Sequence, residues 1–307
     1  MKMPNIVRIE DDLDLAKIQR SGQCFRVSVS NDGLYRFIAK DRVLYIRNID
    51  DGLYEVSCDD DEWTAFWHTY FDLGKDYASA RARCKGIYPF IDDAMEFGKG
   101  IRILNQDPWE MLVTFIISQR KNMPAIATCV ETLSARFGKP MQDFCDPRLM
   151  GWDGTPFAGI GNSPALEGSF ERPGATIPPI HAFPTSHELS KVSEDSLRDC
   201  SLGYRAPYVL DAARIVDAGS LDLVACASLE DDELVVELKR VRGVGDKVAN
   251  CIALFGYGRL GNVPVDVWIN RAIDEECGGC DPFARFGADA GLMQQYVFYY
   301  MTQRERP

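Results

Sequence analysis

Two side chains of this 307-residue sequence have the type and spacing to do covalent chemistry. Lys247 sits in "RVRGVGDKVAN", Arg240 to Asn250, and Asp266 follows nineteen residues later in "GNVPVDVWINRAIDEE". A lysine amine attacks electrophilic carbon and forms Schiff bases, provided it is held neutral. The first turn of a helix is a poor place for a cation, because it faces the positive end of the helix dipole. Burial against Val248, Cys251 and Ile252 disfavours the ammonium form further. Asp266 comes two residues after Pro264 and stands at an N-cap position, where a carboxylate often does no more than cap, worth about 1 kcal/mol. Each residue alone has an ordinary structural explanation, since a lysine also extends to solvent over an apolar surface. Consecutive helices with adjacent N-termini would make the two a nucleophile and its electrostatic partner.

The elements that must hold them can be read around them. "LVVELKRV" has the period of a helix with Leu234, Leu238 and Val241 on one face. "RGVGD" stops it, and "KVANCIALFGYG" starts another, so a helix-hairpin-helix is expected over about 234–258. Gly243 and Gly245 give that turn access to positive φ and to close backbone approach. They also leave backbone N–H groups at the second helix N-terminus for a phosphate. An ordinary corner between two helices uses glycines in the same way, so the turn alone leaves DNA contact and simple packing both open. The net charge of -12 argues against a generic nucleic-acid-binding protein. The charge is uneven, however. Acids gather early, in "EDDLDL" and "CDDDEW", whereas Glu237 to Arg259 carries Lys239, Arg240, Arg242, Lys247 and Arg259 against two acids.

Elsewhere, "CFRVSV", "LYRFIA", "VLYIRN" and "LYEVSC" alternate as half-buried strands separated by short turn segments, which predicts an antiparallel meander. From "DEWTAFWHTYF" onward the period is helical; Asp107 and Pro108 read as a cap and first turn, and Gly138 and Gly219 as helix ends. The expected architecture is α+β: a small N-terminal antiparallel β domain, 1–98, and a larger helical domain, 99–307. Residues 151–180 break all periodicity and read as an insertion. No apolar run is long enough for a membrane span, and "MKMPNIVRIEDDLDL" lacks the succession of a secretory signal, which points to the cytosol. Ten scattered cysteines suit a reducing compartment. Cys277 and Cys280 in "CGGC" have ligand spacing without a second pair, so a turn with two incidental thiols is expected and no metal site.

"LKRVRGVGDKVANCIALFGYGRLGNVPVDVWINRAI" resembles the hairpin, Gly/Pro loop and aspartate signature of the helix-hairpin-helix DNA glycosylases, and a lysine in the hairpin marks the bifunctional members. "SGQCFRV", "YFDL", "LNQDPWEMLVTFIIS", "LGYRAPYV" and "AGLMQQYVF" are similar, in order, to segments of the 8-oxoguanine DNA glycosylase/AP lyase family. Only 151–180 has no obvious counterpart. The resemblance implies that Lys247 attacks C1′ of a damaged nucleotide and that Asp266 stabilises the positive charge developing at the sugar. It implies that the Gly22 carbonyl accepts the N7–H that distinguishes 8-oxoguanine from guanine, and that Gln294 reads the Watson–Crick edge. Cys251 and Phe298 would sandwich a flipped base. Gly243, Gly245, Tyr204, Arg205 and Arg120 would touch DNA, Tyr204 as the wedge. The implied partner is duplex DNA containing oxidised guanine, with no cofactor, no membrane and no obligate protein partner. Where relatives carry an asparagine and an arginine to read the opposite base, this sequence has Arg120 and Ala125, so a weaker preference for cytosine is expected. Trp268 stands where relatives often carry a histidine. The alternatives are a glycosylase of the same superfamily for another damaged purine, or a hairpin module that binds DNA without catalysis. Lys247 and Asp266 together weigh against the second.

Overall fold

The computed structural model describes residues 3–142, 144–152, 154–159 and 179–304. Five strands, β1 Asn5–Arg8, β2 Val27–Val29, β3 Tyr35–Ala39, β4 Arg42–Asp50 and β5 Leu53–Val56, form one antiparallel sheet in the order β1-β5-β4-β3-β2. The helices are α1 Leu15–Arg20, α2 Asp60–Glu62, α3 His68–Tyr70, α4 Tyr77–Cys84, α5 Pro89–Phe97, α6 Pro108–Ser118 and α7 Met123–Phe137. Then come α8 Ser186–Ser190, α9 Glu194–Leu197, α10 Ala206–Asp217, α11 Asp231–Leu238, α12 Asp246–Tyr257, α13 Val267–Glu276 and α14 Ala290–Arg304. The expected α+β class is the observed one. Among the described residues no helix is long and apolar enough to cross a membrane.

The meander follows from its turns. Asp51 and Gly52 join β4 to β5, with Gly52 at φ 67°, the left-handed conformation that a tight hairpin requires and glycine adopts freely. β1 is a strand that the alternation does not reveal: it is four residues long, and its Ile6 is 60% exposed. The strands are also not half-buried throughout. Ile38, Val43 and Tyr45 on one face and Phe37, Leu44 and Ile46 on the other are all buried, so the middle of the sheet is covered on both sides.

The chain divides into two compact units, each assembled from separate segments. One comprises 1–10, 24–69 and 116–220; the other comprises 11–23, 70–115 and 221–307. The expected division at 98/99 follows the change in secondary-structure type along the chain, and the compact units cut across it. The first unit shows why. The β-sheet face bearing Leu34, Ile38, Val43 and Tyr45 packs against Met150, Trp152, Phe157 and Ile180. Val29 and Ala158 exchange backbone hydrogen bonds of 3.0 and 2.8 Å, which pairs the edge of β2. The described ends of the 151–180 segment are therefore part of this core; residues 153 and 160–178 of that expected insertion lie outside the described residues.

The second unit is helical and holds the hairpin. Its α14 is buried almost all round, with Gln294 and Gln295 in mid-helix only 3% and 2% exposed. Buried amides need partners, since leaving one unbonded costs about 1–3 kcal/mol. The acids of "EDDLDL" serve structure here. Asp14 caps α1, Asp12 pairs with Arg81, and Asp11 binds the wholly buried Arg102 at 2.8 Å. Burial pushes the Asp11 carboxyl up, but hydrogen bonds from Arg102 and the Tyr77 backbone outweigh it and hold the carboxyl below its usual range.

Candidate active site

The hairpin forms where the sequence places it. Leu234, Leu238 and Val241 are buried, anchoring α11 and the start of the turn, and Gly243 takes φ 88°. Gly245 differs from expectation: its φ of -101° and ψ of -174° are extended backbone that any residue adopts. A Cβ built on it meets nothing within 4 Å. Neither strain nor internal crowding among the described residues accounts for glycine there. Gly245 is the N-cap of α12 and offers no side chain to cap it, so no protein side chain takes up the cap hydrogen bond. The basic strip is largely paired off, through Lys239 to Asp246, Arg240 to Glu237 and Arg259 to Asp231.

Lys247 is half-buried in the first turn of α12. Its Nζ lies 5.3 Å from the centre of the Phe115 ring, which is itself stacked on Phe255 at 5.5 Å. One turn along, Cys251 is buried; burial pushes its thiol up, while the charge and hydrogen bond of Lys247 pull the other way. The amine therefore sits against an aromatic face and a neutral thiol.

Asp266 is the N-cap of α13, as its position after "NVPV" predicts. One carboxylate oxygen, Oδ1, accepts from the backbone N–H of Trp268 and of Ile269, each at 3.0 Å. Burial raises the carboxyl above its ordinary value; the Ile269 N–H, the Lys247 charge and the Trp268 N–H oppose that rise. Lys247 and Asp266 are thus within electrostatic reach of each other at two helix N-termini. The loop between α12 and α13 is held by α14, where Gly291 donates its N–H to the Leu260 carbonyl at 2.6 Å. Asn262 donates to Asn250 Oδ1 at 3.1 Å, tying that loop to α12.

Gly22 takes φ 73° between two buried residues that are fixed in place. Ser21 Oγ donates to the Ile18 carbonyl at 2.7 Å. Gln23 Nε2 donates to Ser21 Oγ and to the Arg102 carbonyl, each at 2.9 Å, while Gln23 Oε1 accepts from Leu104 N–H at 2.8 Å. Gln294 is buried in α14, and its Oε1 has no hydrogen-bond partner among the described residues. Phe298, one turn along α14, is half-buried. Gly22, Gly243, Gly245, Lys247, Cys251, Asp266, Gln294 and Phe298 all belong to this one unit.

Tyr204, Arg205 and Arg120 belong to the other. Tyr204 is 46% exposed, and the Arg205 guanidinium lies 4.3 Å from its ring centre. Arg205 is only 6% exposed, with Nε and Nη2 donating to the Gln119 carbonyl and Nη1 to the Leu202 carbonyl. Expected to touch DNA, it is committed here to backbone carbonyls of its own unit. Next to Gln119, Arg120 is exposed at φ 52°, a conformation that an asparagine tolerates better than an arginine. At the far end of α13, Cys277 and Cys280 flank Gly278 and Gly279, both at positive φ, with Cys280 N–H reaching the Cys277 carbonyl at 3.3 Å. Among the described residues no cluster of His, Cys, Asp and Glu could hold a metal ion.

Sequence reasoning missed Gln295, whose Nε2 donates to the Ser21 carbonyl at 2.7 Å, and Phe115, the ring beneath the lysine. Gln295 directly follows a candidate base reader, and two adjacent glutamines inside an apolar helix were the signal available.

Residues 6–112 match the family model described as 8-oxoguanine DNA glycosylase, N-terminal domain. The N-glycosylase/DNA lyase of Saccharomyces cerevisiae is 31% identical over 184 residues, 56% of this chain. The Arabidopsis thaliana N-glycosylase/DNA lyase OGG1 is 32% identical over 176 residues, 55% of this chain. The matches span 41% and 40% of those relatives' own lengths. Among solved structures, MBOgg1 in complex with a low-affinity DNA ligand is similar with a TM-score of 0.83 and 30% identity, covering 100% of this chain and 98% of that one. The apo form of Clostridium acetobutylicum 8-oxoguanine glycosylase/lyase is similar with a TM-score of 0.80 and 31% identity, covering 98% and 97%.

Proposed function

The chain belongs to the 8-oxoguanine DNA glycosylase family, and from that premise we propose that it excises 8-oxoguanine from duplex DNA and cleaves the strand through a lysine Schiff base. The observation that carries this reading is the pairing of a half-buried amine, Lys247, with a half-buried N-cap carboxylate, Asp266, at two helix N-termini. The Lys247 nitrogen attacks C1′ of the damaged nucleotide. A new C–N bond forms as the glycosidic bond breaks, and 8-oxoguanine leaves with a proton. Asp266, its Oδ1 tied down by two N–H groups, stabilises the positive charge that develops at the sugar. Opening of the sugar ring turns the C1′–N linkage into a Schiff base and leaves a hydroxyl at C4′. Loss of a proton from C2′ then expels the 3′ phosphate by β-elimination, and water releases the lysine.

Base selection rests on two acceptors. The Gly22 carbonyl accepts the N7–H of 8-oxoguanine; guanine presents a lone pair there instead, so the two acceptors repel. Gln294 Oε1, buried without a protein partner, accepts from the N–H groups of the Watson–Crick edge. Cys251 and Phe298 take the two faces of the flipped base. One unmade hydrogen bond at a buried site is worth about 1–3 kcal/mol, or roughly five- to 150-fold. Outside the pocket, the donors at Gly243 and Gly245 grip a phosphate, Tyr204 enters the stack, and Arg120 faces the opposite strand, while Arg205 braces Tyr204 and the Gln119 carbonyl.

The test is borohydride trapping on a duplex with a single 8-oxoguanine. A covalent protein–DNA adduct that disappears in Lys247→Gln is the expected result. Base release without any adduct would leave Lys247 without a role in strand cleavage. No reaction at all would favour another damaged purine or a non-catalytic hairpin.

A further inference from the structure

Three consecutive carbonyls, those of Ser21, Gly22 and Gln23, are treated differently by the protein. The first accepts from Gln295 Nε2 at 2.7 Å, and the third accepts from Gln106 Nε2 at 2.8 Å. The middle one, that of Gly22, receives no hydrogen bond from the described residues. Two buried side-chain amides therefore grip the backbone on either side of an open acceptor. Gly22 itself, at φ 73° and without a side chain, has the least intrinsic stiffness of any residue, so its carbonyl direction is set by its neighbours.

Gln295 is the more informative of the two clamps. It is 2% exposed and adjacent in α14 to Gln294, the buried amide whose Oε1 lacks a partner. Successive residues of a helix point about 100° apart. One stretch of α14 thus carries a group assigned to the Watson–Crick edge and a second that ties the helix to the segment assigned to N7–H. We infer that Gln295 is a positioning residue: through the Ser21 carbonyl it fixes the direction of the Gly22 carbonyl, and with it the discrimination between 8-oxoguanine and guanine. This rests on the reading of 8-oxoguanine as the substrate. Gln295 touches neither base nor sugar in this scheme; it acts through the Ser21–Gly22 peptide.

The experiment compares wild type with Gln295→Leu, which keeps the volume and removes the donor. Three single-turnover rates are measured at enzyme excess, on 8-oxoguanine, on guanine and on a preformed abasic site, which requires Lys247 chemistry but no base. Positioning predicts that the 8-oxoguanine rate falls about tenfold or more relative to the abasic-site rate, and that the ratio of 8-oxoguanine to guanine excision narrows. A general structural role would lower all three rates together and overturn the inference, as would an unchanged set of ratios. If Gln295→Leu does not fold, Gln295→Met carries the same expectations; failure of both to fold would make Gln295 a stability residue and reject the proposal. Wild-type protein inactive on 8-oxoguanine but active on abasic sites would instead sink the substrate reading, and this inference with it.

Discussion

A Cβ added to Gly291 would sit 2.2 Å from the carbonyl oxygen of Asn262 and 2.9 Å from that of Leu260. Both obstacles are backbone, and both belong to the loop that delivers Asp266. Gly291→Ala must therefore push that loop away from α14. The expected cost is about 1–3 kcal/mol of stability, as for other overpacked sites. Excision should fall in addition, because the carboxylate moves with its loop. Thermal melting and single-turnover rates on the variant check this; a melting point and a rate both equal to wild type would contradict it.

Gly245 gives the opposite case. Among the described residues no atom stands in the way of a Cβ there, and its backbone angles suit any residue. Gly245→Ala should change stability by less than about 1 kcal/mol, the small loss of an N-cap glycine being offset by a stiffer unfolded chain. DNA affinity should nevertheless drop about tenfold or more, since the methyl group occupies the space through which a phosphate approaches. Fluorescence anisotropy with an abasic duplex measures it, and unchanged affinity would remove the hairpin from the interface.

Asp266 links activity to pH and stability. Its carboxyl is raised on folding, so the ionised form is the one that folding disfavours. That penalty is absent below the unfolded pKa, grows between the unfolded and folded values, and is complete above the latter. Asparagine caps a helix as well as aspartate does. Asp266→Asn is thus expected to melt at or above the wild-type temperature at pH 7, with the difference vanishing at about pH 3. Excision should fall about a hundredfold or more over the same comparison. A clear loss of stability at pH 7 would mean that the carboxylate is structural first.

Asp11 carries the reverse sign. Its carboxyl is held low, so it contributes stability above its unfolded pKa and loses it as pH falls through the lower folded value. Because Arg102 is fully buried, Asp11→Ala should cost about 3 kcal/mol at neutral pH, the penalty for leaving one buried ion without its partner. Urea titrations at several pH values should show wild type and variant converging below about pH 4.

Opposite-base preference follows from the carbonyl of Gln119. It accepts from Arg205 Nε at 2.9 Å, from Arg205 Nη2, and from Tyr204 Oη at 3.4 Å. With Arg205 spent on this carbonyl, Arg120 in place of an amide, and Ala125 without donors, few groups remain to read a cytosine. Cleavage of 8-oxoguanine opposite each of the four bases should differ by less than about tenfold. A strong preference for cytosine would show that Arg205 or Arg120 rearranges on DNA.

What could be read from the sequence was what local pattern encodes. The hairpin, the Asp107–Pro108 start of α6, the Asp266 cap and four of the five strands are each specified within a dozen residues. The missed features are pairings across long separations. β1 is legible only beside β5, and nothing in "EDDLDL" announces that Asp11 will meet Arg102. The role of 151–180 was likewise misjudged at its ends, because Trp152 and Phe157 look like loop residues until the sheet face that they cover is known. Gly245 was expected to serve both positive φ and close backbone approach; it does not adopt the first, and the open space in front of it is visible only in three dimensions.

The bond from Gln295 to the Ser21 carbonyl joins residues 274 positions apart. A ribosome making this chain produces Lys247 and Asp266 before it produces α14. A nascent or truncated polypeptide that lacks α14 therefore has Lys247 and Asp266 in its sequence but neither the Gln295 clamp on Ser21 nor the Gly291 contact that holds the Asp266 loop. Proteolysis that removed α14 would cost the molecule both contacts at once, although both reactive residues remain in the fragment.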